Sequence, residues 1–216
     1  SEGLEVIYGD TDSVFFRSPH SNLEETISFG EEIAQRYSIG AKQLEFEKIL
    51  QPFFSHGAKK RYVGKQVWPK ESMLIRGYET RRTDSFPSQV KALEEVFSLL
   101  MESDVDGALR LSKDWVTKIS KGEVEKDTLV ISKTVNLKRK YVNEGNQAHL
   151  QAHKKYIETG RPFVSGMKIS FVVTDASKSP MVVEPYIPEE ECPEPDYNYY
   201  ADRLAKSLSR ITDVFD

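Results

Sequence analysis

An α+β fold in two parts is what this sequence predicts, and three observations carry that expectation. Short β-rich runs dominate the first 84 residues, with one helical stripe among them. Helical periodicity dominates the rest, interrupted by two brief strand-like runs. Charge shifts along the chain as well: Lys42 to Asp84 holds ten Lys/Arg against five Asp/Glu, whereas Glu184 to Asp202 holds seven acids and no base. With 216 residues there is chain enough for one or two cores. The expected division is residues 1–84 and 85–216, with the boundary near 80–86.

Taken in order, "LEVIY" and "SVFFR" flank Gly9-Asp10-Thr11-Asp12 and read as a β-hairpin. Ser21 with Glu24 three places on suggests a capping box, and Leu23, Ile27, Ile33, Ala34 and Tyr37 mark a helix running to about Ser38. "QLEFEKIL" alternates, which predicts a strand with Glu45 and Glu47 on one face and Leu44 and Phe46 on the other. "KKRYVGKQVW" and "ESMLIRGYE" suggest a second hairpin turning near Pro69 and Lys70. Beyond Asp84, helices are predicted over about Pro87 to Ser103, Val105 to Ser120, Ala148 to Glu158 and Tyr197 to Val214. "TLVIS" and "KISFVV" are the strand-like runs between them.

Composition narrows the function classes. The longest apolar runs, such as "FSLLM", fall well short of the ~20 residues a membrane span needs. One cysteine, Cys192, cannot form an internal disulfide, and no basic-then-apolar segment opens the sequence, so a cytoplasmic setting is expected. The net charge of −4 argues against a polyanion partner only on average. A local basic stripe on an acidic protein binds nucleic acid through its own field and the counterions it releases.

Two aspartates at i and i+2 in a tight turn repel, and a bound cation relieves that repulsion. Mg²⁺ favours a few carboxylate oxygens plus phosphate and water, so Asp10 and Asp12 suit a metal–nucleotide complex. Aspartate is also common in turns that bind nothing, because it hydrogen-bonds the local backbone. Glu45 and Glu47 form a second acidic pair, and two-metal phosphoryl transfer needs several carboxylates around ions ~3.5–4 Å apart. His149 and His153 stand four apart on a predicted helix, but Leu-Gln-Ala between them lacks the glutamate of a metalloprotease motif, which favours a surface or packing role over zinc binding. Trp68 and Trp115 read as packing residues, and Cys192 as an exposed loop residue.

In combination these motifs resemble the family B DNA polymerases. "YGDTDS" (Tyr8, Gly9, Asp10, Thr11, Asp12, Ser13) resembles motif C, the palm hairpin carrying catalytic aspartates. "LEFEK" resembles the Glu-rich palm strand that follows, and "KKRYVG" the Lys-Lys-x-Tyr motif that grips primer–template DNA. "RGYETRRTD" resembles the palm-to-thumb junction, and "TLVISKTV", "AHLQAHKK" and "YYADRLAKSLSRI" follow in the order of the thumb. The resemblance implies a partial palm over 1–84, of antiparallel strands with a helix, followed by a mostly helical thumb over 85–216. Asp12 would be the principal ligand of two Mg²⁺ ions, replaceable by Mn²⁺, and Asp10 the second, more peripheral carboxylate. Glu47 and Glu45 would support the metals. Lys59, Lys60, Arg61 and Tyr62 would contact the primer–template, and Arg81 and Arg82 would contact phosphate or brace the junction.

The family's exonuclease, motif A aspartate and fingers have no counterpart in these residues. The resemblance therefore implies half an active site, completed by a larger polymerase chain that brings the dNTP site, as in split archaeal enzymes. A cloned fragment of a single-chain enzyme fits the same residues, and a sliding clamp is a further partner the family allows. Two other classes stand beside this one: a non-catalytic DNA-binding accessory subunit, and an Asp-x-Asp metal-dependent glycosyltransferase. The second requires a nucleotide-binding α/β half ahead of Asp10.

Overall fold

A computed structural model describes residues 3–55, 60–78 and 84–212. It divides into two compact units, Ser1–Gly77 and Tyr78–Asp216.

The first unit opens with a two-stranded ribbon, β1 (Val6–Gly9) and β2 (Val14–Phe16). Their antiparallel register pairs Val6 with Phe16, Tyr8 with Phe15 and Gly9 with Val14, and it shifts between Val6 and Tyr8. Such a bulge adds local twist and re-aims the side chains beside it. Helix α1 (Leu23–Tyr37) follows. Its cap is Asn22 rather than Ser21: the Asn22 side chain accepts a 2.8 Å hydrogen bond from the Glu25 amide. A three-stranded antiparallel sheet completes the unit in the order β3 (Ile49–Ser55), β4 (Tyr62–Trp68), β5 (Ser72–Arg76). The β4–β5 pair is the hairpin read from the sequence, in unbroken register from Tyr62–Arg76 to Gln66–Ser72.

The strand expected over "QLEFEKIL" is corrected. Residues 43–48 are irregular, and β3 begins only at Ile49. Phe46 sets this course. Its ring stacks on Trp68 at 4.8 Å and 11°, and its edge fills the space beside Gly30 of α1, where any Cβ would collide with it. An aromatic ring held from two sides overrides an alternation that needs Leu44 buried, and Leu44 is exposed. Strand β3 then tolerates Pro52 because it lies at the sheet edge, where its register shifts between Leu50 and Phe53.

The second unit joins helices to a sheet. Helix α2 (Pro87–Met101) starts with proline in its first turn, and α3 (Val105–Ser120) is capped by Asp104 accepting from the Gly107 amide at 2.8 Å. Strands β6 (Ile131–Thr134), β7 (Lys168–Asp175) and β8 (Val182–Pro185) form an antiparallel sheet with β7 central, and α4 (Ala148–Glu158) packs against β7 and β8. Helix α5 (Tyr197–Thr212) packs on α3. The core runs through Phe86, Leu93, Val96, Phe97, Ile119, Leu129, Val172 and Leu204, all buried. Tyr200 ties the layers together: its ring meets Phe86 edge-on at 5.0 Å, and its hydroxyl accepts a 2.9 Å hydrogen bond from the Val173 amide of β7. Its burial pushes that phenol well above the ordinary tyrosine range. The unit expected to be mostly helical carries a three-stranded sheet beside its helices, whose third strand lies in a Val/Pro/Glu stretch without strand periodicity.

Candidate active site

Asp10 and Asp12 stand in the four residues, Asp10 to Ser13, that join the Gly9–Val14 pair of the β1–β2 ribbon. The Asp10 amide donates to the Ser13 carbonyl at 2.8 Å and closes the turn. One oxygen of Asp10, Oδ1, accepts from the Thr11 amide at 2.8 Å and from the Thr11 hydroxyl at 3.3 Å. Asp10 is half-buried and Asp12 exposed, and among the described residues Asp12 has no hydrogen-bond or ion-pair partner. The turn thus spends one carboxylate oxygen on its own geometry and leaves the others open to solvent.

The donors fit a hard divalent cation. All are carboxylate oxygens, they sit on a short closed loop, and Mg²⁺ or Mn²⁺ takes such ligands together with water and phosphate. Among the described residues no three Asp, Glu, His or Cys side chains gather into a group that could hold a metal. An ion at Asp10 and Asp12 would draw its remaining ligands from elsewhere. Glu45 and Glu47 are exposed in the irregular stretch before β3, and Glu47 pairs with Lys48 at 3.1 Å.

What the fold does bring to the aspartate loop is the segment leading into β4. Tyr8, Phe15, Phe53 and Tyr62 form one aromatic cluster. Tyr8 lies 5.6 Å from Phe15 and 5.2 Å from Tyr62, Phe15 stacks on Phe53 at 5.2 Å, and Phe53 meets Tyr62 at 5.7 Å. The Lys60 amide donates a 2.7 Å hydrogen bond to the Tyr8 hydroxyl. Lys60 adopts a left-handed backbone, φ 64°. Lys60 and Tyr62, read from the sequence as nucleic-acid contacts, thereby pack on the strand that carries the aspartates, and Arg61 lies between them. Lys59, Arg81 and Arg82 lie outside the described residues.

Phe15, Phe53 and Gly77 escaped the sequence reading. The first two had a visible signal in the doublets "VFF" and "PFF". Gly77 had none: its φ of 75° and its closeness to the Lys60 carbonyl oxygen appear only once β5 is folded back on β4. In the second unit, His149 and His153 are packing residues. His149 meets Tyr141 at 5.5 Å and His153 meets Phe163 at 4.5 Å. Trp115 is buried, its indole N–H donating to Glu95 at 2.8 Å. Cys192, expected to be exposed, is half-buried.

A ribbon carrying two carboxylates and joined to a three-stranded sheet, followed by a unit of helices and a second sheet, belongs to a recognisable class of protein. The chain belongs to DNA polymerase family B, whose sequence profile matches residues 2–215. It is 33% identical over 220 residues to DNA polymerase 2 of Aeropyrum pernix, covering 99% of this chain and 26% of that protein. It is also 28% identical over 220 residues to the DNA polymerase delta catalytic subunit of Plasmodium falciparum, covering 97% of this chain and 20% of the relative. Its fold superposes on the family B DNA polymerase of Pyrobaculum calidifontis with a TM-score of 0.66 at 21% identity, over 97% of this chain and 26% of that one. The chain therefore spans between a fifth and about a quarter of the length of these proteins.

Proposed function

We propose that this chain supplies the motif C part of the palm (residues 1–84) and the thumb (85–216) of a DNA-directed DNA polymerase. The observation that carries the reading is the joint between Tyr8 and Lys60, which ties the strand leading into the aspartate loop to the described part of the basic segment. A nucleotidyl transferase needs its metal carboxylates and its grip on the primer at a fixed separation, because misplacement of a reacting group by about 1 Å costs ~10²-fold in rate.

In this reading Asp12 is the principal ligand of two Mg²⁺ ions and Asp10 the peripheral one, anchored by Thr11. Bound there, Mg²⁺ would lower the pKa of the primer 3′-hydroxyl and neutralise charge on the dNTP phosphates. Lys59, Lys60 and Arg61 neutralise primer–template phosphates, while Tyr62 lies along the duplex edge and Arg81 and Arg82 add phosphate contacts. Glu45 and Glu47 are supporting carboxylates, on an irregular segment that Phe46 anchors.

The remaining catalytic carboxylate, the fingers and the dNTP site would come from a larger chain. One observation supports such a partner. A two-stranded ribbon is marginal by itself, and β1–β2 leaves Val6, Ile7 and Val14 exposed at 59%, 43% and 48%.

Primer extension by this chain with and without the candidate large chain tests the reading. Extension is expected only from the mixture, and activity of the small chain alone would refute the half-site. In the active mixture, Asp12→Ala is expected to lower the extension rate by at least about 10²-fold, since metal-borne charge stabilisation is worth several kcal/mol. Near-normal extension would remove Asp12 from the metal site.

A further inference from the structure

The Tyr8–Lys60 hydrogen bond spans 52 residues of sequence, and it falls on a residue whose backbone is strained. A lysine at φ 64° occupies a region that side chains with a Cβ disfavour, and such conformations persist only where the surroundings over-determine them. Two contacts do so here. The Tyr8 hydroxyl accepts the Lys60 amide at 2.7 Å. On the other side the Lys60 carbonyl oxygen occupies the space a Cβ at residue 77 would need, so only glycine admits it. Two residues further on, Tyr62 pairs with Arg76 and rests its ring on Tyr8 at 5.2 Å.

We propose that Tyr8 is a positioning residue whose hydroxyl holds the left-handed turn at Lys60, so that the Lys60–Arg61 cations stand at a fixed offset from Asp10 and Asp12. Tyr8 touches neither nucleic acid nor metal in this role; it ties the grip on the primer–template to the carboxylate loop two residues away. The inference rests on the polymerase reading above.

Tyr8→Phe keeps the ring and its aromatic partners and removes only the acceptor. In the assembled enzyme this variant is expected to raise KM for primer–template by about 2- to 10-fold, the range one lost hydrogen bond covers. KM should rise by more than kcat falls, and Lys60 amide exchange in the isolated chain should speed up. Tyr8→Leu, which also removes the ring packing, is expected to raise KM further. Partial misfolding would lower the active concentration, and with it apparent kcat, while leaving KM in place, so the split separates positioning from damage. Lys60→Ala serves as the reference for the reading itself. If it raises KM while Tyr8→Phe leaves both KM and Lys60 exchange unchanged, the positioning role is refuted and the DNA-contact reading stands. If neither substitution moves KM, both fall together.

Discussion

Gly77 shows how little room single residues leave in the first unit. An alanine there would have to hold φ near 75° and push aside the backbone of Lys60. The left-handed conformation alone costs roughly 1–2 kcal/mol, and backbone offers no flexible end to retreat. Gly77→Ala is expected to destabilise the first unit by at least about 2 kcal/mol in urea denaturation. Gly145→Ala, where a Cβ meets nothing within 4 Å, should stay within about 0.5 kcal/mol of the parent. The same scale explains why the aspartate pair was legible and its support was not. Asp-Thr-Asp between β-formers signals a turn by residue type alone, while the Tyr8 hydroxyl reveals its partner only when chain 52 residues away returns to it.

At the scale of elements, two buried polar contacts make the second unit testable. Tyr200→Phe would leave the Val173 amide buried without its acceptor, in the central strand β7. The expected loss is about 1–3 kcal/mol, read as a lower urea midpoint. On α4, His149 is buried with no partner for Nε2 among the described residues, and burial, with Lys133 adding repulsion, holds its pKa down to about 4 from 6.5. A group whose folded pKa is depressed takes up protons first in the unfolded chain. Its contribution to stability is complete above pH 6.5 and is lost as pH falls toward 4. Melting temperature is therefore expected to drop between those values in the parent and to vary less in His149→Leu. The helices themselves were legible: α2, α3 and α4 begin where caps, proline and periodicity predict. Strand β8 was hidden because pairing with β7, not local pattern, makes it a strand.

Across the whole molecule the charge of −4 hides an uneven distribution, and in the proposed reading binding to DNA follows the local part. Primer–template affinity of the assembled enzyme is expected to fall with salt. Replacing Lys59, Lys60 and Arg61 together by alanine should flatten the slope of log K against log salt by roughly 0.9 for each phosphate that is no longer neutralised, up to about 2.7. An unchanged slope would mean these cations meet no phosphate. The two compact units meet in sequence at Gly77 and Tyr78, so Lys60 and Arg61 belong to the first.

By itself the sequence determined the α+β class, the two hairpins, the main helices and the motif order that leads to a family B polymerase. Each of these is written in short-range periodicity or in residue type at close spacing. The tertiary structure alone decided that Glu45 and Glu47 leave the strand, because Phe46 finds Trp68 and the bare face of Gly30. It alone decided too that Tyr8, rather than only the aspartates beside it, carries the link to Lys60. Both outcomes depend on contacts between segments distant in sequence, whose energies no local pattern records.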